Sequence, residues 1–291
     1  MGLKKVAQCS EADKHADQIT SLFFYDGKLF SSANDGFIKV WNLDLKLIEA
    51  FQAHPVNVYS AVELNDTLYS CSNDGTIQAW SAKDYKKGKT VFQDATSETT
   101  KLHASGGKLF SGSDQGVVQA WENDELVGRY ETLEEVWGLL VLEDTLYAGS
   151  MMDINVLEIK KGTNKSSYSM KGTIEGRAPI KKLGDAICFL SRDARTILIH
   201  DSSPKTRFQK KTEIKVSDSL MVNELHTIGD KFVLSGGYDK TVNKWDASTQ
   251  QSVGSVDVGE CIVALTTSND AADVIFAGTD YGRILRIDST S

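Results

Sequence analysis

Five histidines, four cysteines and 40 carboxylates are the groups in this 291-residue chain that could ligate a metal, attack a carbonyl or carry a proton. Their spacing supports none of these chemistries. His15, His54, His103, His200 and His226 stand far apart, and no HExxH-type pair brings two of them onto one face. Cys9, Cys71, Cys188 and Cys261 are equally scattered, with no CxxC; they read as buried free thiols of a reducing compartment. A hydrolase elbow needs serine at the centre of GxSxG. The nearest match, Gly112–Ser113–Asp114–Gln115–Gly116, has its serine one place early and inside a hairpin turn. Neither a GxxxxGK[ST] phosphate loop nor a GxGxxG fingerprint is present. Two carboxylates could still meet in space, but no motif selects a pair. The expectation is a protein without catalytic residues, without a metal and without a cofactor.

Composition narrows the partners. The net charge of −8 and pI near 5.2 argue against a general nucleic-acid or anionic-membrane binder. No apolar run approaches the ~20 residues of a membrane span, and the opening MGLKKVAQCSEADKHAD has no apolar h-region. A cytoplasmic or nuclear location is expected, in which the N-x-[ST] matches at Asn65 and Asn164 carry no meaning. Two basic clusters, Lys83–Lys89 and Lys205–Lys215 with Arg207, could form a patch for RNA or anionic lipid. Aromatic interleaving is thin there, and a charged outer strand that resists wrong pairing is the simpler account.

The elements that must position these residues come from a repeat. KLFSSANDGFIKVWN (28–42), TLYSCSNDGTIQAWS (67–81) and KLFSGSDQGVVQAWE (108–122) each read as strand, tight Gly-containing turn, and strand ending in tryptophan. LYAGSMMDINVLE (146–158), CFLSRDARTILIH (188–200), FVLSGGYDKTVNKWD (232–246) and IFAGTDYGRILRI (275–287) continue the frame. The equivalent positions are Trp41, Trp80, Trp121, Glu158, His200, Trp245 and Ile287, spaced by 39, 41, 37, 42, 45 and 42 residues. Seven units of this period, each with a further strand before and after the hairpin, match propeller blades of ~40–45 residues.

In these repeats the chain resembles the WD40-repeat family over nearly its whole length. The resemblance implies an all-β, seven-bladed WD40 β-propeller forming one domain over 1–291. Its blades would span about 19–54, 55–97, 98–133, 134–174, 175–217, 218–258 and 259–291. The last of these runs out of chain before its outer strand, so the segment 3–9 is expected to pair into it and close the ring. The family's signature is partial: only Trp245–Asp246 is a literal Trp-Asp. By the same resemblance, His15–Asp35–Trp41 and His54–Asp74–Trp80 are bracing networks, with Asp239 and Trp245 the counterparts in blade six.

A propeller of this kind offers a top face to partners. An inner ring of positions reads Thr20, Tyr59, Thr100, Trp137, Pro179, Glu224 and Val263. An outer ring reads Asn34, Asn73, Asp114, Met151, Asp193, Tyr238 and Asp280. Family members that capture phosphopeptides place arginines on the inner ring; here Arg177 is the nearest candidate, which disfavours that role. Tyr59, Trp137 and Tyr238 instead stand among Glu98, Asp114, Glu135, Asp193 and Asp280. Aromatic anchors with an acidic rim suit a partner with basic residues. The expected function is a scaffold or adaptor holding a peptide or protein in a multiprotein complex. The repeat style resembles propellers of myosin-heavy-chain kinases and ubiquitin-ligase subunits that recruit substrates. The alternatives are a nucleic-acid-associated subunit using rim lysines (Lys205–Lys215 and Lys160–Lys182) and, more remotely, a propeller enzyme.

Overall fold

The computed structural model describes residues 2–160, 167–268 and 274–290. These residues form seven four-stranded sheets with antiparallel pairing, as between Thr99–Ser105 and Lys108–Ser113. The first sheet shows the plan: Ile19–Tyr25, Lys28–Ala33, Phe37–Trp41 and Leu47–Gln52 are hydrogen-bonded in sequence order. The next five begin at Val58–Leu64, Thr99–Ser105, Gly138–Leu142, Arg177–Leu183 and Val222–Ile228. The last sheet draws on both ends of the chain: Gly2–Gln8 pairs with Ile284–Thr290, which continues to Val274–Thr279 and Ile262–Thr267. The expected pairing of the N-terminal segment into blade seven is therefore present. Asn164, with Lys161 and Lys165 of the second lysine patch, lies outside the described residues.

Local sequence explains the hairpins. The first two strands of blade one are joined by Asp26–Gly27, with φ of 46° and 72°. Asn65–Asp66 and Gly106–Gly107 make the same two-residue turn in blades two and three, also with both φ positive. This is the primed turn that matches strand twist, and it selects Gly, Asn and Asp. The second hairpin of each of these blades closes on a glycine: the N–H of Gly36, Gly75 and Gly116 donates to the carbonyl three residues back, at 3.2 Å. At Gly75, φ is +77° and an added Cβ would lie 1.9 Å from the Asp94 carbonyl oxygen, so no other residue fits.

Contacts group the chain into two compact units. One comprises the described residues up to Gln52 and from Lys181 onward; the other is Ala53–Ile180. The strand Arg177–Leu183 runs across the division. Within each unit neighbouring sheets pack by the same device. A β-branched residue at or just before the start of one sheet lies on a glycine of the sheet before it: Ile262 on Gly236 and Ile19 on Gly278 in the first unit, Val136 on Gly112 in the second. All three apolar residues are fully buried. A Cβ at any of these glycines would come within 2.7 Å of the neighbour, so the spacing between sheets is set by the absent side chain.

Candidate functional site

The histidines that sequence alone might offer as catalysts are structural. His15 Nδ1 meets the Asp35 carboxylate at 2.9 Å, and His15 Nε2 meets Ser31 Oγ at 2.8 Å. Trp41 Nε1 donates to that same oxygen at 2.8 Å. In blade two His54, Asp74, Ser70 and Trp80 repeat the arrangement at 3.0, 2.8 and 3.0 Å. Burial holds both histidines below the ordinary imidazole range, against the pull of the paired aspartates. Blades three and six keep the tryptophan bond alone, Trp121 to Ser111 at 3.1 Å and Trp245 to Ser235 at 2.8 Å. Asp239 instead accepts from Thr241 and Asn243. The serine was missed in reading the sequence, although its signal is plain: it stands ten residues before the tryptophan in all four blades.

In five of the sheets a β-bulge sets the position in the expected inner ring. In blade one Ile19 pairs with Ala33 and Ser21 with Ser32, leaving Thr20 as the extra residue. The same irregularity singles out Tyr59, Thr100 and Val263. In blade six Val222 pairs with Gly237 and Glu224 with Gly236, so the extra residue is Asn223 and the expected Glu224 is one place off. A second contact agrees. The outer-ring N–H groups of Asn34, Asp114, Tyr238 and Asp280 donate to the carbonyls of Gln18, Glu98, Met221 and Cys261, each two residues before the bulge. Glu224 pairs instead with Lys181 at 2.9 Å.

Two bulge residues are stitches between sheets rather than contacts for a partner. Thr100 is 3% exposed, and its hydroxyl donates to the carbonyls of Gly112 and Val136. This removes Thr100 from the expected binding surface. Asn223 Nδ2 makes the corresponding bond to Ile262 O at 3.1 Å. Thr20, half-buried, shares a hydrogen bond with Ser32 Oγ at 2.9 Å.

Within Ala53–Ile180 the contacts link Tyr59, Trp137, Glu98 and Asp114, while Arg177 with Met151 and Asn73 make separate contacts. Tyr59 and Trp137 meet edge to face with ring centroids 6.2 Å apart. Tyr59 OH donates to Glu98 Oε2 at 3.0 Å, and burial together with that carboxylate pushes the phenol up to about 12. Trp137 Nε1 is buried with no acceptor among the described residues. Asp114 accepts from Ser97 Oγ and from the Glu98 N–H, both at 2.9 Å. Arg177 turns toward Met151, with Nη2 2.8 Å from the sulfur. Asn73 accepts from Ser72 Oγ at 3.4 Å.

In the other unit Tyr238 is 56% exposed beside the exposed Leu220 and Met221. Asn34 is half-buried, while Asp193 is exposed and accepts from Ser191 Oγ at 2.6 Å. Asp280 keeps a buried carboxylate oxygen without a partner among the described residues. Tyr281, absent from the expected ring, is the more exposed neighbour at 64%. It follows the outer-ring position by one residue, so only the turn conformation could have revealed it.

The expected lysine patches are largely neutralised. Lys83, Lys86 and Lys89 face Asp66, Asp84 and Asp124 at 3.2, 3.0 and 3.2 Å. Lys210 and Lys211 face Glu213 and Asp185, each at 2.9 Å, and Lys215 faces Asp218. The four cysteines are buried and unpaired. Among the described residues no group of three or more His, Cys, Asp or Glu side chains could hold a metal, and no helix is long and apolar enough to cross a membrane.

Known proteins share this fold. The family model described as "WD domain, G-beta repeat" matches residues 8–42 and 45–81, the first two blades. Among solved structures, the WD40 β-propeller domain of Doa1 superposes with a TM-score of 0.81 at 15% identity, over 100% of this chain and 98% of that one. A computationally designed protein, Ika8, superposes at 0.73 with 17% identity, over 98% of this chain and 100% of that one. No curated relative matches the sequence. The chain has the seven-bladed β-propeller fold, with WD40 repeats matched in its first two blades and strand Gly2–Gln8 completing the last sheet.

Proposed function

We propose that this propeller is a non-catalytic interaction module whose Tyr59–Trp137–Glu98 cluster receives a partner segment carrying lysine or arginine. WD40 propellers are generally protein-binding scaffolds. The observation that supports the finer reading is the edge-to-face aromatic pair with a carboxylate bound to the tyrosine hydroxyl. An aromatic face attracts a cation by its quadrupole, contributing about 0.5–2 kcal/mol, and Glu98 with Asp114 adds charge of the complementary sign. Arg177, the expected arginine of this face, is drawn to Met151. Tyr238 with Leu220 and Met221 gives the other unit an apolar anchor of its own. The lysine clusters support no second reading, because so many face carboxylates.

The test is a peptide array read on wild type and on a Tyr59→Ala/Trp137→Ala variant of unchanged melting temperature. Basic peptides should bind more tightly than acidic ones, and the double variant should lose about tenfold, the effect of ~1.4 kcal/mol. A preference for acidic peptides defeats the charge argument. Undiminished binding by the variant moves the contact surface elsewhere.

A further inference from the structure

Blade three lacks the histidine and the aspartate of the brace that blades one and two share, and a pocket stands where they would be. His15 and His54 each precede their serine by 16 residues; the same step back from Ser111 reaches Ala95. The turn aspartates Asp35 and Asp74 correspond to Gln115. Around this position lies a cavity of about 400 Å³, lined by Asp94, Thr96, Ser111, Gln115, Gln119 and Arg129 among others. Such a volume falls within the ~300–1,000 Å³ of ligand pockets.

We propose that this slot, formed by Ser111, Gln115 and the Asp94–Ser97 loop, binds an imidazole ring supplied from outside the chain. The chemistry is displayed twice in the protein itself. Ser31 Oγ and Ser70 Oγ each bind a histidine nitrogen at 2.8 Å while accepting a tryptophan N–H. Ser111 is 3% exposed, accepts from Trp121 in the same way, and lines the pocket. Its hydroxyl proton is the natural donor to a ring nitrogen. Gln115 Nε2 is held by Asp114 at 3.0 Å, which leaves its carbonyl oxygen to accept from the ring's N–H at the place the aspartates occupy in the other blades. A hydrogen-bonding ring fits this polar lining, whereas a phenyl ring of similar size would strand the polar groups around it.

The ring could belong to a histidine of a partner peptide or to a free imidazole compound. Three probes distinguish the sources: imidazole itself, a blocked tripeptide with central histidine, and the same tripeptide with central phenylalanine. Binding is followed through amide shifts of residues 94–97 and 111–119. Saturable shifts with imidazole and with the histidine peptide, but not with the phenylalanine peptide, identify a peptide source; shifts with imidazole alone identify a small-molecule source. Either supports the slot. Ala95→His should supply the ring from the chain's own loop, raise the melting temperature, and lower the affinity for imidazole at least about tenfold. Gln115→Leu, at an exposed turn position, should weaken binding several-fold while leaving the fold intact. Absence of saturable shifts in wild type overturns the proposal. So does equal binding of the phenylalanine peptide, or undiminished binding in both variants.

Discussion

Blades two and three carry nearly the same hairpin, TLYSCSNDGTIQAWS against KLFSGSDQGVVQAWE, yet they are braced differently. In both, tryptophan Nε1 donates to the serine ten residues earlier, at 3.0 and 3.1 Å. Blade two adds His54 and Asp74 behind that serine; blade three has Ala95 and Gln115, and a cavity. The tryptophan–serine bond is thus the constant part of the brace, and the histidine–aspartate pair is an added layer. A satisfied buried network stiffens a sheet, but a blade can be held by the core member alone.

The severest test of that distinction is removal of the constant part. Trp80→Ala and Trp121→Ala each empty a buried site, 5% and 6% exposed, and each should cost about 3–5 kcal/mol in urea unfolding. Comparable losses in the two blades are expected. A much smaller loss in blade three would mean that its tryptophan does not brace the sheet.

Removing the serine should separate the blades instead. Ser70→Ala strands both Trp80 Nε1 and His54 Nε2, whereas Ser111→Ala strands only Trp121 Nε1. With about 1–3 kcal/mol for each buried group left unpaired, the first substitution should cost roughly twice the second. Equal costs in the same unfolding assay would show that the histidine layer contributes nothing.

The pH dependence is a finer measure of that layer. Burial holds His54 below its ordinary value, so the unfolded chain takes up a proton before the folded one does. Stability from this group is fully present above pH ~6.5 and is lost as pH falls from there through the folded value. His15 and His226 act in the same direction, His226 most strongly, since burial and the charge of Lys181 push it down to about 3. His226→Gln should flatten the stability profile below pH 6.5 more than His54→Gln does. An unchanged slope in the His226 variant would show that the imidazole is not buried neutral.

Much of this was legible in the sequence because each blade repeats the same local rules. Period, turn glycines and tryptophan spacing predict the seven sheets, and the pairing expected of segment 3–9 is seen as Gly2–Gln8 with Ile284–Thr290. The proposed binding surface was less legible, for a physical reason. A bulge is a one-residue event in hydrogen bonding, and nothing in VNELH marks Asn223 rather than Glu224 as the extra residue. Nor does residue type tell whether a polar side chain at the bulge turns outward or caps the next sheet, as Thr100 and Asn223 do. The vacant histidine position could have been read from Ala95, sixteen residues before Ser111. Its consequence, a cavity, depends on how the Asp94–Ser97 loop settles.

The bulge residues of blades two and three give the smallest and most selective contrast. Tyr59 and Thr100 occupy equivalent positions, but Tyr59 is half-buried against Trp137 while Thr100 is enclosed and bonded to Gly112 and Val136. Thr100→Val keeps the volume and removes the hydroxyl, leaving carbonyls short of a donor; it should lower stability by about 1 kcal/mol and leave peptide affinity unchanged. Tyr59→Phe keeps the ring and removes the bond to Glu98. It should leave stability within about 0.5 kcal/mol and change the affinity for basic peptides by a few-fold, the scale of a single hydrogen bond. Calorimetric titration and thermal unfolding of the two variants measure both quantities. Matching losses of affinity would place Thr100 on the contact surface, contrary to its burial. Matching losses of stability would make Tyr59 a stitch between sheets, like Thr100, and leave Trp137 as the anchor.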